Sequence, residues 1–150
     1  MEAEVYPQPD VIRFVEQHFV PLKIHIREQP RLFERFEARW TPTQLILDEN
    51  GEERYRIEGF LPKDDLLAQL EMGLGKLAFE RKRFEDAERQ FHDVEVQHPE
   101  SGAAPEALYW EGVAAYKSSN DAGRLKDTAR DLSRRYPESE WARRASVWAA

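Results

Sequence analysis

Residues 41–60, with the sequence TPTQLILDENGEERYRIEGF, predict a β-hairpin. We expect strands over Thr43–Leu47 and Glu53–Glu58, joined by a turn at residues 48–51, where Asp, Asn and Gly favour a tight reversal of the chain. Gly59 ends the second strand, because glycine weakens a strand interior. The first half of the chain therefore contains a β element.

The residues before the hairpin predict two short helices and one further strand. Asp10 is a suitable N-cap for a helix that ends near His18, with its apolar residues on one face. Residues 19–26 alternate between apolar and other side chains, which is typical of a strand, and Pro21 cannot donate to a ladder there. A second short helix follows Pro30. The apolar positions are Val11, Phe14 and Val15, then Val20, Leu22, Ile24 and Ile26, then Leu32, Phe33 and Phe36.

From Pro62 onward, apolar residues recur at helical spacing and predict helices only. Pro99 and Pro137 each mark a helix end, because the residue before a proline is pushed out of the α region. We expect the helices to pack as antiparallel neighbours. The predicted helices cover residues 63–81, 84–97, 103–118, 122–135 and 139–149, and the side chains expected in the core are Leu74, Phe91, Leu108 and Leu132.

An internal repeat relates these helices to one another. Residues 98–101, HPES, match residues 136–139, YPES, at an offset of 38 residues. Small and aromatic residues recur at the same offset on one helical face, which indicates repeating helical hairpins. The matching pairs are Ala104 with Ala142, Ala107 with Ala145, and Trp110 with Trp148.

The composition limits the functions that are open to the chain. It has 150 residues and a formal net charge of −7, which would repel a phosphate backbone, so a nucleic acid is not an expected partner. No apolar run approaches the roughly 20 residues of a membrane span, so we expect no membrane partner. The first ten residues lack the features of a secretory signal, so the expected location is cytoplasmic if Met1 is the true start.

The residue types also limit the chemistry. The chain has no cysteine, which excludes disulfides, thiolate metal sites and thiol nucleophiles formed by these residues. No two histidines have the spacing of three or four that would place two ligands on one helical face. Paired carboxylates occur at turns and helix starts, where the turn or the helix dipole explains them. We therefore predict no metal, no cofactor and no catalytic residue. The histidines are His18, His25, His92 and His98.

The second half, residues 73–150, resembles the tetratricopeptide family, specifically its looser bacterial variants, in which a Tyr-Pro-Glu/Asp-Ser corner joins successive helical hairpins. In the second unit Gly112 and Pro137 keep the ends, but the turn at residues 120–123 is longer than the consensus spacing. The resemblance implies an all-α, helical-repeat architecture. In the first unit the family's small, small, aromatic and proline positions are occupied by Gly75, Ala87, Phe91 and Pro99.

Residues 1–72 resemble thioredoxin-like domains. Residues 19–23, FVPLK, are similar to the second core strand of that family, and residues 40–43, WTPT, are similar to its X-Pro site, which is cis in that fold. The hairpin turn and the glycine of residues 58–60, EGF, also match, in the order and spacing of the family. The resemblance implies an α/β domain and a cis Thr41–Pro42 bond.

The chain departs from that family in having no cysteine. The relatives carry a Cys-X-X-Cys pair on the first turn of their first helix, just ahead of a segment similar to residues 1–6, where the helix N-terminus lowers the thiol pKa. Either the gene product begins upstream and carries the cysteines there, or the protein begins at Met1 and has lost both the redox chemistry and the first strand. The expected fold is an N-terminally incomplete α/β thioredoxin-like domain followed by all-α helical hairpins.

A missing first strand predicts a gap in the sheet. In the resembled fold this strand lies between the segment 19–26 and the hairpin, and unpaired buried backbone groups are costly. We therefore expect exposed or partner-paired edges at residues 19–26 and at Thr43–Leu47, and self-association through these edges.

Two groups of residues are candidate contacts with a protein partner. The resemblance implies that the residue before the cis-proline offers backbone groups to an extended peptide, which makes Trp40, Thr41 and Pro42 the peptide-contact candidates. The alternative is that this bond only shapes the loop before the strand. On the repeat surface the candidates are Tyr109, Trp110 and Trp141, whose alternative role is packing between helices.

Two functions follow from these expectations. In the first, the protein is a non-redox adaptor that binds a protein or an extended peptide. In the second, the chain is the C-terminal portion of a thiol-disulfide oxidoreductase whose Cys-X-X-Cys pair lies upstream of Met1 and whose helical tail recruits clients. A thiol titration of the protein encoded by the full reading frame discriminates between them.

Overall fold

Seven α-helices and two β-strands form the structure, a computed structural model that describes residues 1–150. The chain divides into two compact units, Met1–Leu67 and Ala68–Ala150. This division and the predicted boundary between residues 72 and 73 both fall inside the third helix. The elements are α1 (Pro9–His18), α2 (Pro30–Arg35), β1 (Thr43–Leu47), β2 (Glu53–Glu58), α3 (Lys63–Glu80), α4 (Phe84–Gln97), α5 (Ala104–Ser119), α6 (Ala122–Arg135), α7 (Glu140–Ala145) and a 3₁₀ turn (Ser146–Trp148).

The hairpin of the first unit has the bounds that the sequence predicts. Strands β1 and β2 pair antiparallel and form a sheet of two strands, with an irregularity in register between Ile46 and Leu47. Asp48 holds the turn, because its Oδ1 accepts hydrogen bonds from the N–H groups of Asn50 at 2.9 Å and Glu52 at 3.0 Å. These bonds and the neighbouring Arg54 guanidinium hold the pKa of Asp48 below its usual value.

Residues 19–26 do not form the predicted strand, and that prediction is wrong. A strand needs a neighbour for its backbone groups, and the sheet contains only β1 and β2, while Pro21 has no N–H to donate. The side chains of Val20 and Leu22 are 97% and 76% exposed. No ladder joins this segment to β1, so the expected gap between two strands of one sheet does not occur, and only the edge of β1 is left unpaired.

The two short helices of the first unit occur where they are predicted, with one correction. Helix α1 begins at Pro9 rather than at a cap formed by Asp10, and its N-cap is Gln8. Proline is favoured at the first helical position, where its missing N–H has no intrahelical partner to lose. Asp10 lies in the first turn and forms an ion pair with Lys63 at 2.8 Å.

The helices of the second unit follow the predicted bounds closely, and α4 and α6 match them. Contacts join α4 with α5, α5 with α6, and α6 with α7. The predicted last helix is shorter than expected and ends in a 3₁₀ turn, which is common at helix C-termini. Phe91, Leu108 and Leu132 are buried as predicted, whereas Leu74 is only half-buried, which corrects that expectation.

The two repeated corners of the sequence have the same local structure. The N–H of Ser101 donates to the carbonyl of His98 at 3.0 Å, and the N–H of Ser139 donates to the carbonyl of Tyr136 at 3.0 Å. The corners also touch, because the Tyr136 hydroxyl donates to the carbonyl of Pro99 at 3.0 Å. The internal sequence repeat therefore corresponds to a repeated turn.

Glycines let the helices of the second unit approach closely. A Cβ atom at Gly75 would lie 2.5 Å from the Phe91 ring, and one at Gly112 would lie 2.7 Å from Cβ of Thr128. These separations are shorter than van der Waals contact allows, so only glycine fits at both positions. None of the helices combines the length and the hydropathy that a membrane span requires.

Candidate functional site

The outer edge of β1 is an unpaired row of backbone groups in the first unit. The N–H of Gly59 donates to the carbonyl of Pro42 at 2.8 Å, which makes these two residues a hydrogen-bonded pair at the end of the ladder. Because such pairs alternate along an antiparallel ladder, Gln44 and Ile46 bond to β2, while Thr43 and Leu45 direct their backbone groups outward. No strand pairs with that outer edge.

Trp40, Thr41 and Pro42 lead directly into this edge. The peptide bond between Thr41 and Pro42 is cis. The hydroxyl of Thr43 donates to the carbonyl of Trp40 at 2.7 Å, which closes the turn before the strand. No backbone–backbone hydrogen bond uses the N–H or the C=O of Thr41.

Trp40 is the most prominent apolar side chain at this edge. It is 67% exposed, although a tryptophan gains free energy from burial. Thr41 beside it is also exposed, and Pro42 is half-buried. The arrangement offers an extended chain a row of backbone donors and acceptors next to a large aromatic surface, which are the two components of recognition by strand addition. Whether these residues bind a peptide stays a prediction.

The predicted repeat-surface residues lie in an aromatic cluster of the second unit. Tyr109 stacks on Trp148 with ring centroids 4.6 Å apart, and its centroid is 5.0 Å from that of Trp141. Tyr109, Trp141 and Trp148 pack against the buried core that includes Leu132. These contacts join α5 to the C-terminal elements, so packing between helices buries part of the surface of each of these side chains.

Trp110 belongs to the same cluster and has a cation on its face. Lys76 Nζ lies 3.8 Å from the centroid of the Trp110 ring, and it forms an ion pair with Glu106 at 2.9 Å. Burial lowers the pKa of Lys76, while Glu106 opposes that change. The Trp110 Nε1 is buried and has no hydrogen-bond partner. That Tyr109, Trp110 and Trp141 contact a partner stays a prediction.

The structure brings together three further polar side chains, His92 and Glu95 on α4 and Glu111 on α5. His92 Nδ1 lies 3.1 Å from Glu111 Oε1, and one potential ligand atom from each of the three residues lies within 4.8 Å of the others. Burial and the nearby Glu95 carboxylate raise the pKa of Glu111 to about 7, against the effect of His92. Arg135 of α6 donates to Glu95.

Sequence reasoning missed this cluster because it compared histidines only with histidines. His92 and Glu95 are three residues apart, which places them on one face of α4. The third member, Glu111, comes from the next helix, and only the packing of α4 against α5 brings it close. A search for His and Glu at a spacing of three would have found two members of the three.

Comparison with known proteins supports part of the sequence-based assignment. Searches of curated proteins and of solved structures find no significant match. The region matched by a family model covers the first unit and continues into α3. Residues 1–73 match the family model of a thioredoxin-like domain.

Proposed function

We propose that this protein is a non-redox adaptor, in which a thioredoxin-like domain and a tetratricopeptide-like tail bind a protein segment in extended form. The non-redox part of the proposal is supported by the composition, because none of these 150 residues is a cysteine that could attack a disulfide. The tail assignment is supported by the repeated Pro-Glu-Ser corners, which carry the same turn hydrogen bond. The adaptor role needs a binding surface, which the thioredoxin-like domain offers.

The observation that carries the proposal is the unpaired outer edge of β1. Exposed strand edges are templates for another strand, and proteins usually block them with charge, proline or a covering element. The outward-facing residues Thr43 and Leu45 carry no charge, and Pro42 lies before the strand with its nitrogen on the side of β2. Trp40 adds exposed apolar area where an incoming chain would begin to pair.

The partner in this proposal is an unfolded or extended segment of another protein. A second copy of the chain qualifies as such a partner, because residues 19–26 offer an exposed apolar segment with no strand partner of its own. In the tail, Tyr109, Trp110 and Trp141 form the second proposed contact surface. Tyrosine and tryptophan side chains are enriched in binding hot spots.

The test uses peptides selected from a random library for binding to the full chain, measured by fluorescence anisotropy. Trp40→Ala is expected to weaken binding by about tenfold or more, which corresponds to about 1.4 kcal/mol. Ile12→Ala is the control, because Ile12 is a 43% exposed apolar residue of α1 in the same unit. N-methylation of alternate peptide residues is expected to abolish binding, because strand addition requires backbone hydrogen bonds.

Amide exchange of the protein gives a second readout of the same proposal. Peptide binding is expected to slow exchange at Thr43 and Leu45, whose amides face outward, and to leave Gln44 and Ile46 unchanged. Leu45→Pro removes an outward N–H without removing a bond to β2, so circular dichroism should remain native while binding is lost. Equal binding of the N-methylated peptide, or loss of binding in Trp141→Ala but not in Trp40→Ala, would refute strand addition at β1.

Sedimentation velocity tests the self-association part separately. We expect the fraction of dimer to rise with protein concentration and to fall in Leu45→Pro. A protein that stays monomeric at all concentrations, but binds selected peptides at β1, would limit the proposal to other proteins as partners.

A further inference from the structure

The cluster of His92, Glu95 and Glu111 has a donor set that nothing in the adaptor role uses. One imidazole nitrogen and two carboxylates converge from α4 and α5, and both helices belong to the same compact unit. The His92 side chain is 54% exposed, whereas that of Glu111 is 19% exposed. The cluster therefore has a closed inner side and an open outer side.

The distances fit ligands that surround one ion. A tetrahedral zinc ion has bonds of about 2.0–2.2 Å to nitrogen and carboxylate oxygen, which places neighbouring ligand atoms about 3.3 Å apart. His92 Nδ1 and Glu111 Oε1 are separated by 3.1 Å, and the atom of Glu95 completes a set within 4.8 Å. Three-fold ligation requires the three ligand atoms to draw together to about 3.3 Å, and it leaves a fourth position for solvent.

The hydrogen bonding of the carboxylates leaves capacity for a cation. Glu111 Oε2 is buried and has no hydrogen-bond partner, although an unpartnered buried carboxylate oxygen is costly. Arg135 binds Glu95 through Oε1, so it neutralises one of the two negative charges and fixes the orientation of that carboxylate. Outer partners of this kind commonly orient metal ligands. The other carboxylate, Glu111, has only the His92 imidazole as a nitrogen partner, at 3.1 Å.

We propose that His92, Glu95 and Glu111 form a binding site for a divalent transition-metal ion between α4 and α5. A nitrogen donor with two oxygen donors suits zinc and its neighbours in the first transition series. Magnesium and calcium prefer sets made only of oxygen ligands, so the site discriminates against them. The bound ion cross-links two helices of the tail and leaves one coordination position open to solvent.

The experiment is isothermal titration calorimetry of the full chain with zinc chloride, followed by thermal melts. We expect one equivalent of zinc to bind and the melting temperature to rise with zinc concentration, because the ion binds the folded state. His92→Ala and Glu111→Gln are each expected to weaken zinc binding by at least about tenfold. His25→Ala is the matched control, because it removes an exposed histidine of the other unit and should leave zinc binding unchanged.

Several outcomes would overturn the proposal. Absence of zinc binding up to about 1 mM would mean that the cluster is only an ion-pair network. Zinc binding that persists in His92→Ala, or that falls equally in His25→Ala, would place the ion elsewhere on the surface. Equal competition by magnesium would contradict the role of the imidazole. Glu111→Gln keeps the size of the side chain, so a native circular dichroism spectrum separates lost binding from lost folding.

Discussion

The contact between Gly75 and Phe91 predicts strong energetic coupling between α3 and α4. Phe91 is fully buried, and a Cβ atom at position 75 would lie 2.5 and 2.7 Å from two of its ring carbons. Overpacking of this kind costs about 1–3 kcal/mol, whereas Gly→Ala in a helix interior gains about 1 kcal/mol from helix propensity. Gly75→Ala should therefore lower the free energy of unfolding of the wild-type protein by up to about 2 kcal/mol.

The same substitution should have the opposite sign when the ring is absent. Phe91→Ala is expected to cost about 3–5 kcal/mol, because it removes a large side chain and leaves a cavity. In that background the alanine at position 75 meets no ring, fills part of the cavity and keeps its propensity gain of about 1 kcal/mol. The double-mutant cycle should therefore give a coupling energy of about 1–3 kcal/mol.

Urea unfolding followed by circular dichroism measures each free energy of the cycle. Phe91→Leu supplies a milder background in which the protein stays folded if Phe91→Ala does not. Additivity of the two substitutions within about 0.5 kcal/mol in both backgrounds would refute the packing described for this crossing. A cost below about 1 kcal/mol for Phe91→Ala would mean that the core face of α4 is assigned wrongly.

Three further predictions concern the second unit. Gly112→Ala should lower the free energy of unfolding in urea by up to about 2 kcal/mol, because the new Cβ would lie 2.7 Å from Cβ of Thr128 and helix propensity offsets about 1 kcal/mol of that cost. Thr128→Ala should relieve most of this loss. Burial, reinforced by Asp93, raises the pKa of Glu71 to about 7, so the folded state retains a proton that the unfolded chain releases near its usual pKa of 4.5. Stability should therefore fall as the pH rises from about 4.5 to 7. Glu71→Gln should flatten this dependence and stabilise the protein at pH 8 by about 1–2 kcal/mol after solvent screening is allowed for. An unchanged pH profile of the unfolding free energy would contradict the burial of this carboxyl. Asp121→Ala should lower thermal stability by about 1 kcal/mol, because the carboxylate caps α6 by accepting a backbone N–H at 2.8 Å.

Local sequence signals predicted the elements whose hydrogen bonds are local. The hairpin needs only its own two strands and the Asp48 turn, and its bounds agree with the prediction. The bounds of helices α4 and α6 are likewise predictable from local sequence. Their backbone hydrogen bonds lie within the helix, and the spacing of their apolar residues marks the buried face. The shift of the α1 start to Pro9 and the 3₁₀ end of the chain are corrections of a few residues, which is where helix boundaries are least determined.

Features that depend on distant residues were harder to predict. The alternation in residues 19–26 indicates a strand, but alternation does not supply the neighbour that a strand requires. Leu74 lies at helical spacing from the other apolar residues of α3, but its burial depends on which other elements cover it. In the structure it is half-buried. The cluster of His92, Glu95 and Glu111 was missed for the same reason, because Glu111 is brought close by packing and not by spacing along one helix.

The segment 19–26 and the outer edge of β1 both lack a strand partner. In a two-stranded hairpin, β2 forms hydrogen bonds with the backbone groups of β1 that face it. The backbone groups of Thr43 and Leu45 face away from β2 and are left to solvent or to a partner. An exposed apolar side chain such as Val20 or Trp40 adds free energy of association only if a partner covers it. The first unit thus has both unpaired backbone groups and exposed apolar side chains. In the second unit, by contrast, Leu132 of α6 is completely buried. The proposed binding role therefore rests on the unpaired outer edge of β1 and on the exposed apolar side chains of the same unit.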